Sequence, residues 1–504
     1  MTSNPSPSSP PEAVVPRAEQ AAQAAAQTPH RWWILAVVGL AQLMVVLDGT
    51  IVNIALPSAQ RDLGFSNGNR QWVVTAYALA FGSLLLLGGR LADLIGRKLV
   101  FLIGVAGFAG ASALAGAATG FDMLITARAL QGAFGALLAP AALALLNTTF
   151  AAGRDRAKAF GVYGAIAGTG GAVGLLLGGL LTEHLSWRWT LYVNLVFAAL
   201  AFAGGLALLR NSRRDGAKLD IPGTLLVSSG LFSLVYGLSN ADTHGWSAPM
   251  TWGWLVAGVL LIALFGRWQT RAAHPLLPLR IVLDRDRGAS LSAVIIAASG
   301  MFGLFLFLTY YLQVTLRYSP VTTGLAFLPM VGGLMVSAQL ATNVTAPRFG
   351  ARTTVPLGMA LAAGAMVWLT RIGLTDTYAS QVLPALIVLG LGLGQVMPTA
   401  MNQATARVAP DEVGAASASV NTMQQIGGSI GTALLNSLAT SAATAYLVGR
   451  RPTPDTLARA QLHSYTTAFW WSASIFALGA LVTALLYRSS TGRAEASNHE
   501  VVSG

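Results

Sequence analysis

Cysteine is absent from the 504-residue chain. Its absence excludes disulfides, a thiolate metal site and a cysteine nucleophile. Charge is nearly as scarce, since 10% of the residues are Asp, Glu, Lys or Arg, against about 25% in a typical soluble domain. A soluble chain of this length divides into roughly three domains, each with a charged surface. Nineteen acidic and 31 basic residues cannot furnish such surfaces. Lysine occurs at 98, 158 and 218, each time after Arg or Ala, so the Gly-Lys pair of a phosphate-cradling loop cannot form and ATP hydrolysis within the chain is not expected.

What is present is apolar: 54% of the residues are hydrophobic. The net charge of +12 is not a nucleic-acid footprint, because such proteins gather their cations into a patch with interleaved aromatics. Here the cations sit in short loops between apolar runs. Residues 1–30, rich in Pro, Ser, Ala and Gln, read as a disordered cytoplasmic tail. The run from Trp32 to Leu56 exceeds the core of a signal peptide and is expected to stay as a membrane helix. Runs able to cross about 30 Å of hydrocarbon recur near 72–90, 99–119, 123–149, 159–182, 189–209, 221–240, 250–267, 289–313, 323–346, 353–370, 379–401, 414–441 and 465–487.

Those spans number fourteen. With the N-terminus inside, about 22 of the 31 Lys and Arg fall in cytoplasmic segments, the bias expected of inside loops. An odd helix count would put Arg267, Arg271, Arg280, Arg285 and Arg287 on the wrong face. Both termini are therefore expected in the cytoplasm and the chain in the inner membrane. The loop after the second span, Gly-Gly-Arg-Leu-Ala-Asp-Leu-Ile-Gly-Arg-Lys (88–98), has a faint copy after the tenth, Ala-Pro-Arg-Phe-Gly-Ala-Arg (346–352). Two six-helix halves, 31–210 and 286–490, with an inserted pair in 211–285 and a second tail at 491–504, account for this duplication. In repeat-built transporters the substrate site lies at the interface of the halves.

Away from the span ends, the ionisable side chains are Asp48 and Arg128. A charge at the bilayer centre costs about 2.5–3.5 kcal/mol on insertion scales, so it marks function by default. Asp48 can take up a proton from one side and release it to the other. The plainer alternative is a buried ion pair with Arg128 that fixes packing, and the two readings are compatible. Gly170, Gly174 and Gly178 recur every four residues on one face of the fifth span, a spacing that lets helices approach closely whether or not they move.

Histidines at 30, 184, 244, 274, 463 and 499 fall in tails, loops or helix ends, so no metal cluster stands at membrane depth. Neither a metal nor a cofactor is expected. Phe302, Phe305, Tyr310, Tyr77 and Tyr236 are candidates to line a cavity for a flat apolar compound, with lipid-facing or core packing equally open to each. The amides Asn53, Gln131, Asn147, Gln313, Asn402, Asn421 and Gln425 need partners inside the bundle.

Four segments carry a family resemblance. Leu47-Asp48-Gly49-Thr50-Ile51-Val52-Asn53-Ile54-Ala55-Leu56-Pro57, Gly89-Arg90-Leu91-Ala92-Asp93-Leu94-Ile95-Gly96-Arg97-Lys98, Arg128-Ala129-Leu130-Gln131-Gly132 and the glycine series of the fifth span resemble motifs of the fourteen-helix drug:proton antiporters in the major facilitator superfamily. The resemblance covers residues 31–490. It implies an all-α membrane fold, export of a small lipophilic drug or antibiotic in exchange for protons, coupling by Asp48 and Arg128, a gating loop with Gly89, Asp93, Gly96, Arg97 and Lys98, and a packing seam at Gly170, Gly174 and Gly178. Asn53, Tyr77, Gln131, Phe305, Tyr310 and Gln313 are the candidate cavity residues. Gly174-Leu175 stands where the family commonly has Gly-Pro, so no proline kink is expected there. The expected partners are the drug, protons and the lipid bilayer, with no nucleic acid, and the expected working unit is a monomer. A proton-independent facilitator or uptake carrier on the same fold is the competing reading.

Overall fold

The computed structural model describes residues 30–150, 154–210, 220–273, 275–276, 283–405 and 413–488. Apart from His30, the two expected tails lie outside the described residues. Among the described residues there are fourteen helices of 19 residues or more and no strand. They are α1 (Arg31–Leu63), α2 (Trp72–Ile95), α3 (Arg97–Gly116), α4 (Phe121–Thr149), α5 (Arg154–His184), α6 (Trp189–Leu208) and α7 (Ile221–His244). Then follow α8 (Pro249–Gln269), α9 (Arg285–Tyr310), α10 (Pro320–Leu340), α11 (Ala351–Leu369), α12 (Leu383–Thr405), α13 (Val413–Leu447) and α14 (Pro454–Leu486). By length and composition, 11 spans in the described chain suit a membrane crossing; α2, α5 and α13 are not among them.

Local chemistry sets many of the ends. Asp220 accepts from Gly223 N at 2.9 Å and starts α7, Ser319 accepts from Thr322 N at 3.2 Å and starts α10, and Thr453 with Thr456 forms a capping box at α14. Each cap satisfies an amide the first turn leaves unbonded. Proline stands in the first turn of α8, α10 and α14, where its missing N–H removes no helical bond. The duplicated loops share one backbone feature. Gly96, between α2 and α3, has φ +106°, and Gly350, before α11, has φ +71°, conformations that glycine adopts without the Cβ penalty.

The packing repeats with an interval of eight helices. α2 packs on α4, α3 on α4, α1 on α5, α1 on α6, α3 on α6 and α1 on α4. The second set is α10 on α12, α11 on α12, α9 on α13, α9 on α14, α11 on α14 and α9 on α12. Across the two sets, α5 packs against α10 and α2 against α13, each the counterpart of the other under the same interval. α7 and α8 pack on one another, and α7 also lies along α2 and α13.

The outward faces are apolar. Val196 and Leu200 on α6, and Val259 and Leu260 on α8, are exposed, an arrangement that suits contact with hydrocarbon and would be unusual against water. Helical bonds satisfy the backbone within each span, which is the condition for standing in lipid.

Candidate functional site

Asp48 stands seventeen residues into the 33-residue α1, at the middle of its length, and is 0% exposed. Three other helices supply the polar groups around it. Arg128 Nη1, from α4, donates to Asp48 Oδ2 at 2.6 Å. Gln131 Nε2, one turn further along α4, donates to Asp48 Oδ1 at 2.9 Å, and Asn194 Nδ2 from α6 donates to the same oxygen at 2.8 Å. Ser112 of α3 accepts from Gln131 at 2.7 Å and from Asn194 at 3.4 Å. Arg128 and Gln131 share a face because three residues make nearly one helical turn.

The arginine is equally enclosed, at 1% exposure. Its Nε donates to Val73 O in the first turn of α2 at 2.9 Å, its Nη1 reaches Gln131 Oε1 at 2.8 Å, and its guanidinium lies 4.5 Å from the centre of the Tyr77 ring. The planar fork thus addresses three acceptors on α1, α2 and α4 at once, which an ammonium on a flexible stem does not do. Removing either member would leave a buried charge uncompensated, at about 3–5 kcal/mol. Asp48, Arg128 and Gln131 therefore meet in one network, with Tyr77 beneath it.

A buried ion pair joined by polar residues of α1, α3, α4 and α6, inside a fold whose helix contacts repeat at an interval of eight, narrows the possibilities to a duplicated transporter. Residues 38–432 match the family described as the Major Facilitator Superfamily. The chain belongs to that superfamily. A puromycin resistance protein of Streptomyces alboniger is 51% identical over 471 residues, 93% of each chain. A tetracenomycin C resistance and export protein of Streptomyces glaucescens is 34% identical over 418 residues, 81% of this chain and 76% of that one. A solved autoinhibited peptide transporter of the POT family, 16% identical, superposes with a TM-score of 0.66 over 90% of this chain and 97% of its own, a likeness of fold. This facilitator is accordingly a multi-pass transporter of the bacterial inner membrane and not an enzyme.

The glycine seam of this facilitator faces the helix that bears Asp48. A Cβ built on Gly170 would lie 3.1 Å from Val46, one on Gly174 would fall 2.0 Å from Thr50 Oγ1, and one on Gly178 would fall 2.9 Å from the Ile51 carbonyl oxygen. α5 and α1 are thus in backbone-level contact on both sides of the carboxylate. The opposite face of α5 meets α10, where a Cβ on Gly179 would lie 2.7 Å from Pro320 O.

The residues expected to form a gating loop lie where α2 turns into α3. Gly89 lies under Pro140, its added Cβ being 3.7 Å from that ring, and Gly96 makes the turn. Arg97 opens α3, and Lys98 Nζ donates to Leu206 O at 3.0 Å and to Leu209 O at 2.7 Å, closing the C-terminus of α6. The Asp93 side chain lies outside the described residues.

The candidate cavity residues divide into several groups. Gln131 and Tyr77 belong to the Asp48 network. Asn53, 5% exposed, bonds its own helix at Gly49 O, 3.1 Å away. Phe305 packs on Phe327 with ring centres 5.2 Å apart. Tyr310 donates to Gln60 of α1, and Gln313 Nε2 donates to Ile54 O of α1 at 3.0 Å. These last two join α9 to α1 at the end where α1 stops, and Gln313 stands in a π-helical turn, Tyr311–Thr315, a form frequent at functional sites.

Sequence reasoning missed Asn194, Ser112 and Arg70. Asn194 had a signal, being an amide inside the apolar run of α6 that needs a partner in lipid. A serine such as Ser112 is common in membrane helices and gives none. Arg70 precedes the second span in sequence, yet it is 1% exposed.

Proposed function

We propose that this facilitator is a proton-coupled antiporter that exports a small lipophilic drug or antibiotic across the cytoplasmic membrane. The reading has fourteen crossings, both termini in the cytoplasm, two six-helix bundles at 31–210 and 286–490, and an inserted pair within 211–285. It acts as a monomer, with the cargo passing between the bundles. The observation that carries it is the fully buried Asp48, paired with Arg128 halfway along α1. Relatives named for resistance and export support the direction of transport.

Asp48 accepts three N–H donors, and nothing in the described network accepts from it. A proton arriving at Oδ1 displaces Gln131 or Asn194 and removes the counter-charge of Arg128. The guanidinium keeps its bond to Val73 O, so the change reaches the first turn of α2, the helix that packs on α13 of the other bundle. One carboxylate then answers to the proton and to the position of the helices, which is the requirement for exchange.

The test uses inside-out vesicles that hold the protein. Addition of an exported drug should collapse an imposed proton gradient, and Asp48→Asn, which keeps the shape and cannot carry a proton, should abolish that response while the protein still accumulates in the membrane. Export by the parent protein that leaves the imposed gradient intact, together with undiminished export by Asp48→Asn, would favour a carrier that works without protons.

A further inference from the structure

At the end of the molecule where α1 stops and α2 and α10 begin, the two bundles are tied together. Gln313 reaches Ile54 O at 3.0 Å, Tyr310 reaches Gln60, and Val321 N donates to Glu183 Oε2 at 3.0 Å. Arg70 lies within this closure. Four charged side chains are buried among the described residues: Asp48, Arg70, Arg128 and Asp220. Asp48 and Arg128 form an ion pair, and Asp220 accepts from Gly223 N, Trp268 Nε1 and Gln269 Nε2.

Arg70 is held differently. Its Nε donates to Asn436 Oδ1 of α13 at a long 3.4 Å, and its guanidinium lies 4.3 Å from the Tyr310 ring centre and 5.3 Å from that of Phe307, both on α9. Nη1 has no hydrogen-bond partner, and no carboxylate of the described residues pairs with the charge. Arginine does not deprotonate in proteins, so closing this end takes a full positive charge out of water. Two ring faces, a contact with the Tyr310 hydroxyl and one long hydrogen bond to a neutral amide, none of them charged, return less than the desolvation of an unpaired ion removes.

We infer that Arg70 is the charged member of the extracellular gate, and that its unpaired burial opposes closure and keeps the closed exterior easy to reopen. Gln313, Tyr310 and Glu183 hold the gate shut; Arg70 works against them. The coupling site is one turn away. Val73, whose carbonyl holds Arg128, donates its N–H to Arg70 O at 3.3 Å. A marginally closed gate is one that the loss of a single charge at Asp48 can shift.

The inference rests on the orientation proposed above, and its test keeps the two apart. Because the chain has no cysteine, Val74→Cys introduces a unique thiol, one turn beyond Arg70 and 5% exposed in the closed state. Its reaction with a membrane-impermeant maleimide is followed on right-side-out and inside-out vesicles, with no drug and no proton gradient. Labelling confined to inside-out vesicles would refute the orientation and with it this assignment. On right-side-out vesicles Arg70→Gln should slow labelling about tenfold, the change that about 1.4 kcal/mol makes in an equilibrium. Arg70→Lys, which keeps the charge, should label near the parent rate. Asn436→Asp, which gives Arg70 a carboxylate, should also slow labelling, and it carries the test if Arg70→Gln fails to reach the membrane. Faster labelling of Arg70→Gln would make Arg70 a latch and overturn the inference; so would an unchanged rate in Asn436→Asp, or equal slowing by Gln and Lys.

Discussion

The coupling role proposed for the Asp48 network is testable at the scale of single residues. Asn194 is fully buried and donates to Asp48 Oδ1, and a hydrogen bond to a charged group contributes about 1.5–3 kcal/mol. Asn194→Ala should lower export about tenfold or more in a resistance assay while membrane abundance stays near normal. Unaltered resistance at equal abundance would remove Asn194 from the coupling site. Arg128→Lys should fail despite its conserved charge, because an ammonium cannot reproduce the planar contacts to Asp48, Gln131 and Val73; full export by the lysine variant would mean that charge alone suffices. Asp48 and Arg128 were legible in the sequence because ionisable residues inside apolar runs are rare. Arg70 was not, because its burial comes from α9 and α13, hundreds of residues away.

The α1–α5 seam is the contact whose geometry matters most at the scale of elements. Gly174 leaves no room for a methyl group, since its Cβ would meet Thr50 Oγ1 at 2.0 Å, and overpacking of this kind costs about 1–3 kcal/mol. Gly174→Ala should therefore impair export, and Thr50→Ala in the same chain should restore part of it by removing the obstructing hydroxyl. Paired resistance measurements at matched abundance check this. No restoration would show that the seam is not limited by that contact. The four-residue glycine spacing announced a close helix pair, but a period does not name the partner. That α1 is the partner, with Asp48 on the same stretch of helix, follows from the packing of α5 between α1 and α10.

Orientation and cargo belong to the whole molecule. Reporters fused after residues 215, 275 and 495 should all read cytoplasmic, because cations concentrate in these segments and inside loops retain them; an external reading at 275 would remove the inserted pair from the membrane. Cargo charge follows from the count of acids. Asp48 is the one buried carboxylate of the described bundle core, and Arg128 already faces it, so a dication would keep one charge unpaired at a cost of several kcal/mol. Neutral and monocationic drugs should be exported and bis-quaternary compounds poorly. Matched mono- and bis-quaternary ammonium compounds in a resistance assay measure the difference. Strong protection against the bis-quaternary members would require a second acid in the cavity. Glu183, one candidate at a helix end, is engaged with Val321 N between α5 and α10.

The sequence by itself determined the class of molecule. Apolar runs long enough to cross lipid, cations sorted into loops and two charges stranded in helices are properties of composition and spacing, which burial against hydrocarbon turns directly into topology. The all-α superfamily fold and, as one of two open readings, the pairing of Asp48 with Arg128 were within its reach. Which polar groups complete that meeting was decided by tertiary structure alone. Asn194 reaches the carboxylate from α6, Ser112 of α3 accepts from the two amides that hold it, and Tyr310 and Gln313, candidates for a cavity wall, also tie the end of α9 and the turn after it to α1. Periodicity reports which face of a helix is buried, but the partner across that face depends on how separate helices pack, and no local pattern encodes a contact between residues 70 and 436.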